Sequence, residues 1–199
     1  MSLKFVFDYR SPYAYLANTQ LKSLPVTAQM LPLDIVAVMA IVGNQPSPKC
    51  PPKARYSGMD AGRWARRYGV PLSPNKAAMA AMGSGQIAAD LFSRAAVAAQ
   101  DLGVFDALHD ALFSAYWGEP VDLVSEQGRV QLLRNQGIDV DVWAHAEQDA
   151  VRDALRSRVE AAAEQGVFGA PTFFVGEEMF FGNDRLEFVR DALTQGGAQ

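Results

Sequence analysis

Ser11 stands between an apolar run, residues 3–8, and a segment, residues 13–24, whose apolar positions recur at helical spacing. With Pro12 behind it, the serine reads as an N-cap, and the proline fills a first helical position where a missing N–H costs nothing. Capping alone would account for a serine here. The same geometry also suits chemistry on an anion, because a helix start offers free backbone donors and partial positive charge. A thiolate is such an anion. A free thiol titrates near pH 8.5, and lowering that by about two units takes about 2.7 kcal/mol of differential stabilisation. One hydroxyl hydrogen bond together with the helix end can supply it.

Asn183-Asp184-Arg185 places polar groups at a second helix start, again open to a capping reading. The carboxylate could instead pair with the amine of a ligand. Lys53 and Asn44 lie in a proline-rich stretch, where a lysine is ordinarily solvated but could meet a ligand's carboxylate. His109 and His145 are the two histidines, and neither stands at metal-ligand spacing from the other or from Cys50. Both are expected to be structural or at the surface, and no metal is expected. Cys50 is the single cysteine, which leaves no partner for an intramolecular disulfide. No glycine-rich phosphate loop and no Ser-His-Asp arrangement stands out.

The elements that must position these residues belong to an ordinary globular chain. Its 199 residues are 49% hydrophobic and 20% charged, enough to bury a substantial core. A net charge of -4 argues against nucleic acid or an acidic membrane as partner. No charged leader into an apolar stretch opens the chain, and no run of about eighteen apolar residues occurs, so the expected address is the cytoplasm.

A strand over residues 3–8, a helix over 13–24, a strand over 27–31 and a helix over 33–42 make a β-α-β unit, which favours a parallel strand pair. Four prolines between residues 43 and 56 predict a long, stiffened loop. Helices are expected over residues 60–68, 85–101, 106–117, 125–136, 140–146 and 148–165, the last closed by Gly166. Residues 172–175 and 179–181 read as strands around a turn at Gly176-Glu177-Glu178, and a helix over 185–194 ends the chain. This order is α/β: a thioredoxin-like fold with a large all-helical insertion domain. We expect the thioredoxin-like domain at residues 1–57 and 166–199 and the inserted helical domain at residues 58–165. In that order Pro171 falls where thioredoxin folds hold a cis-proline. Ala170 before it would then offer its backbone N–H and C=O to an extended peptide.

The motifs resemble a known family. Asp8-Tyr9-Arg10-Ser11-Pro12-Tyr13-Ala14-Tyr15-Leu16-Ala17-Asn18 is similar to the opening of the 2-hydroxychromene-2-carboxylate isomerases, close relatives of the kappa-class glutathione transferases. Gly43-Asn44-Gln45-Pro46, Pro52-Lys53, Arg63-Trp64-Ala65 and Tyr68-Gly69-Val70-Pro71-Leu72 are similar as well. So are residues 167–175, and the closing Met179-Phe180-Phe181-Gly182-Asn183-Asp184-Arg185-Leu186 is especially close. Only residues 77–164 are matched by length and helical character alone. The resemblance implies a usually dimeric enzyme that binds glutathione. Ser11 would be the catalytic serine at the glutathione sulfur, and Asn44, Lys53, Ala170 (through its backbone), Asn183 and Asp184 would be glutathione contacts. Disulfide oxidoreductases with the same insertion carry Cys-Pro-x-Cys where this chain has Ser11-Pro12-Tyr13-Ala14, so dithiol exchange has no nucleophile here.

The resemblance further implies a small aromatic substrate. A glutathione thiolate would add to its conjugated double bond, the single bond so formed would rotate, and loss of the thiol would leave the isomer. The aromatic end is expected to rest on apolar side chains of the helical domain. Two other readings remain open: a kappa-class-like transferase or peroxidase, and a non-catalytic thioredoxin-like binding module.

Overall fold

The computed structural model describes residues 2–195. Met1 and residues 196–199, the ends of the expected thioredoxin-like domain, lie outside the described residues. Packing divides the chain after Val70 and after Arg158 into two compact units. The expected boundaries stood at 57/58 and 165/166.

The first unit is built on four strands in the order β2-β1-β3-β4. β1 (Leu3–Phe7) runs parallel to β2 (Ala28–Pro32) and antiparallel to β3 (Thr172–Val175), which pairs with β4 (Glu178–Phe181). Because side chains alternate across a strand, β1 sends Phe5 and Phe7 to one face and Val6 to the other. Phe5 stands opposite Phe173 in register, with ring centroids 5.2 Å apart, and Phe7 lies 5.3 Å from Phe5. Val6 and Phe174 pack on the other face with Leu33, Val38, Val159 and Ala162. Both central strands are therefore covered on both sides, as apolar runs without polar alternation require.

α1 (Pro12–Asn18) and α2 (Ile35–Ile41) follow β1 and β2, and Asp34 caps α2 by accepting from the Val36 and Ala37 N–H groups. α3 is Pro51–Tyr68 and begins inside the stretch expected to be a loop. The prolines that suggested a loop are what permits this start. Pro51 and Pro52 occupy the first helical positions, where no N–H is needed and their fixed φ suits the helix. Only Gly43 to Cys50 remains outside it, interrupted by one 3-10 turn, Ser47–Lys49. α3 belongs with the sheet because it packs against α1, where the Tyr13 hydroxyl donates to Asp60 Oδ2 at 3.1 Å. With α10 (Leu186–Gln195) closing the chain, this is the thioredoxin-like fold implied by the element order.

The second unit is helical: α4 (Lys76–Gly83), α5 (Leu91–Asp101), α6 (Phe105–Phe113), α7 (Glu126–Asn135), α8 (Val142–Ala146) and most of α9 (Asp149–Glu164), whose last turns supply Val159 and Ala162 to the sheet unit. The helix expected over residues 85–101 begins only at Leu91, and α4 is separate, capped by Asn75 through the Ala78 N–H. α5 is buried from Leu91 to Ala99, and its alanines let α8 approach closely. Buried Arg94 in α5 is matched by the Ala146 carbonyl at 2.7 Å and Glu147 at 2.9 Å. No helix among the described residues is long and apolar enough to cross a membrane.

His109 lies inside this unit, its ring stacked on Phe105 at 4.7 Å and edge-on to Phe113 at 5.1 Å. Burial pushes its pKa down to about 4, against a weak pull upward from Asp110. The unfolded chain binds a proton at this histidine below about pH 6.5, whereas the folded chain does so only near pH 4, so stability falls between those values as the pH drops. The drop due to His109 is expected to be about 2–3 kcal/mol. Urea unfolding should show it in the wild type and not in His109→Phe.

Candidate active site

The site begins where β1 ends. Asp8 is 1% exposed, and its carbonyl accepts from the Ser11 N–H at 3.0 Å. Its carboxylate accepts from the Arg10 N–H at 2.8 Å and from the Ile35 N–H at 2.9 Å, and it pairs with the Arg10 guanidinium at 2.5 Å. Arg10 also pairs with Asp34. Burial alone would lower the pKa of Arg10, but the charges and hydrogen bonds of Asp8 and Asp34 outweigh it and hold the pKa above its ordinary value. Arg10 is thus fixed as a cation that ties the start of α1 to the cap of α2. The sequence reading gave these residues no role. A carboxylate directly after an apolar strand is the one signal that could have exposed them.

This anchored turn delivers Ser11 in extended backbone at the head of α1. Its Oγ accepts from the Ala14 N–H at 3.2 Å, so the capping reading holds. The same oxygen donates its proton to the Ala170 carbonyl at 3.0 Å. The Ala170–Pro171 bond is cis, and the Ala170 N–H has no hydrogen-bond partner among the described residues. Ser11 and Ala170, far apart in the chain, are in contact.

Asn44 joins the same segment. Its Nδ2 donates to the Phe168 carbonyl at 2.8 Å, and its Oδ1 accepts from the Gln45 N–H at 2.8 Å. The Gly182 N–H donates to the Pro171 carbonyl at 2.9 Å, which brings the start of the 3-10 turn Asn183–Arg185 to the cis-proline. Gly182 has φ of 106°, and a Cβ there would lie 2.4 Å from Asp184 Oδ1, so only glycine leaves the carboxylate where it is. Asp184 is exposed beside Arg185, with Arg185 Nη1 2.6 Å away. Asn183 is buried instead, its Nδ2 donating to the Tyr68 hydroxyl at 3.4 Å while that hydroxyl donates to the Asn183 carbonyl at 3.2 Å.

Lys53 is not drawn in by any contact. It is exposed on the first turn of α3, without a hydrogen bond or ion pair to a described residue. Tyr13, two residues after Ser11 in the first turn of α1, has its hydroxyl pushed up to about 12, first by burial and then by Asp60, so it stays a donor. A cavity of about 270 Å³ is walled by Trp64, Arg67, Tyr68, Asn183, Asp184 and Arg190, among others. Ser11, Asn44, Lys53 and Ala170 are not among its walls, so the cavity does not enclose the serine. No group of three or more His, Cys, Asp or Glu side chains gathers at metal-binding range among the described residues.

The arrangement offers one hydroxyl donor at a helix start, one backbone N–H beside it with no partner among the described residues, and the exposed Asp184 carboxylate two residues beyond the Gly182 N–H that holds the Pro171 carbonyl. It contains no thiol, since Cys50 at the head of α3 is the single cysteine.

Residues 2–194 match the family described as the DSBA-like thioredoxin domain. The chain is similar to a 2-hydroxychromene-2-carboxylate isomerase of Pseudomonas putida, 31% identical over 201 residues that cover 97% of this chain and 94% of that protein. It is also similar to glutathione S-transferase kappa 1 of Caenorhabditis elegans, 24% identical over 97% of this chain and 91% of that protein. A solved structure of a 2-hydroxychromene-2-carboxylate isomerase matches with a TM-score of 0.79 and 26% identity, covering 98% of this chain and 95% of that one.

Proposed function

Because the chain belongs to the DSBA-like thioredoxin family, and within it to the 2-hydroxychromene-2-carboxylate isomerases, we propose that it is a glutathione-dependent isomerase interconverting 2-hydroxychromene-2-carboxylate and trans-o-hydroxybenzylidenepyruvate. It would act as a cytoplasmic homodimer on a small aromatic substrate.

The observation that carries this reading is Ser11 Oγ, held between the Ala14 N–H and the Ala170 carbonyl with no cysteine in the motif. The donor set fits glutathione. When bound, glutathione would supply a thiol nucleophile for reversible addition to a conjugated double bond, chemistry that returns the thiol unchanged and neither gains nor loses an atom. The chain's own residues bind and orient. The free Ala170 N–H pairs with the ligand's peptide carbonyl as a strand neighbour would. Rotation about Cβ–Oγ turns the Ser11 proton from the Ala170 carbonyl to the sulfur, where it favours the thiolate over the thiol. Asp184 takes the γ-glutamyl amine, and Asn183 keeps the turn that carries Asp184 in place through Tyr68. Lys53, with no partner among the described residues, is available to the glycyl carboxylate, and Asn44 braces the segment that carries Ala170.

Calorimetry of glutathione with the wild type and with Asp184→Asn tests this reading. Binding to the wild type is expected, weakened about tenfold in the variant by loss of a charge-assisted hydrogen bond. A wild type that takes up no glutathione leaves the non-catalytic binding module as the better account. The kappa-class relative favours a second reading, a transferase or peroxidase acting on other electrophiles. Isomerisation and conjugation of a chlorodinitrobenzene, measured on one preparation, separate the two.

A further inference from the structure

Resting on the reading above, we propose that Phe168 and Phe181 form the shelf on which the substrate's aromatic ring lies, and so give the Ser11 site its preference for aryl electrophiles. The two rings are 38% and 42% exposed, with centroids 4.6 Å apart. Large apolar rings left in water are costly singly and costlier as a pair, and an adjoining exposed apolar pair is a common mark of a binding surface.

Their position is set by the segment that meets Ser11. Phe168 precedes Gly169-Ala170-Pro171, and its carbonyl is held by the Asn44 amide at 2.8 Å. Phe181 reaches the same segment from β4, where it pairs with Thr172. A Cβ on Gly169 would lie 2.5 Å from Phe181 Cε2, so the ring rests directly on the glycine backbone. One residue further on is Ala170, whose carbonyl accepts from Ser11 Oγ at 3.0 Å. The two rings therefore stand on the segment whose Ala170 carbonyl meets Ser11, and that segment is tied down by the Asn44 amide and by the Phe181 ring. Other exposed large apolar residues, Met59 on α3 and Phe188 on α10, have no such tie to this segment. An electrophile whose double bond meets a sulfur at Ser11 can lay its ring on Phe168 and Phe181 in the offset or tilted geometry that aromatic pairs favour.

The test is calorimetric and needs no turnover. 4-Phenylbutanoate and hexanoate, acids with and without a ring, are titrated into the glutathione-loaded protein, and glutathione is titrated by itself. Phe168→Ala is expected to weaken 4-phenylbutanoate by about five- to tenfold while hexanoate and glutathione stay within about twofold of wild type. Phe181→Leu keeps Gly169 covered and the fold intact, and it should weaken the aryl acid alone by a smaller factor. With the aryl substrate, KM should rise and kcat change little. Unchanged 4-phenylbutanoate binding in both variants, with glutathione still bound, overturns the shelf and leaves the isomerase reading standing. Equal weakening of all three ligands overturns it too, since that marks a structural role. A wild type that fails to bind glutathione removes the reading on which the shelf depends.

Discussion

Ser11→Ala is expected to lower kcat for isomerisation by about 10- to 100-fold, because a hydrogen bond to a charged group contributes about 1.5–3 kcal/mol. The loss falls on the sulfur's charge. Without the hydroxyl the bound thiol titrates higher, so the acid limb of the pH–rate profile should move up by about one to two pH units. Protein stripped of glutathione should give no turnover at all, and activity that survives stripping excludes the mechanism.

The variant has a structural cost that must be separated from the chemical one. Ser11 loses both its cap on the Ala14 N–H and its bond to the Ala170 carbonyl, together about 2 kcal/mol, or a few degrees of Tm in a chain of this size. Ser11→Gly provides the separation. Glycine caps within a few tenths of a kcal/mol of serine, so this variant should be nearly as stable as wild type in its first helix and still as slow as alanine. Full turnover in either variant would reduce Ser11 to a cap.

What the sequence disclosed here was local. Ser11-Pro12 marks a helix start because capping and the fixed φ of proline act within a few residues, and the structure puts that start where the pattern predicts. The strand order was legible for the same reason, and so were most of the helices, but α4 was not, and the helix expected over residues 13–24 ends at Asn18. Pro51-Pro52 misled because two prolines mean the same thing to a loop and to a first helical turn, and the difference lies in whether α1 is there for the following helix to pack on. The bonds that assemble the site were not legible from the residues alone. Asn44 meets Phe168 across 124 positions, Tyr68 meets Asn183 across 115, and Ser11 meets Ala170 across 159. Only the family resemblance gathered Ser11, Asn44, Lys53, Ala170, Asn183 and Asp184 into one list, and it gave no role to Arg10, which ties the start of α1 to the cap of α2.

Arg10→Met should destabilise the fold by about 3–5 kcal/mol, the range found when one partner of a buried ion pair is removed. The reason is Asp8. Its carboxylate is 1% exposed, and without the guanidinium it keeps only the Arg10 and Ile35 N–H groups against a full buried charge. A neutral side chain at position 8 removes that charge, so Asp8→Asn combined with Arg10→Met should lose less stability than Arg10→Met alone. Urea unfolding of the four proteins in this cycle measures the coupling. If the double variant is the weaker, the arginine matters through its packed stem rather than its charge. Arg10→Lys should fall between, since one ammonium cannot match the forked contact with Asp8 and the second contact with Asp34 together. The same turn delivers Ser11 through the Asp8 carbonyl, so kcat should fall in Arg10→Met even at temperatures where the protein remains folded.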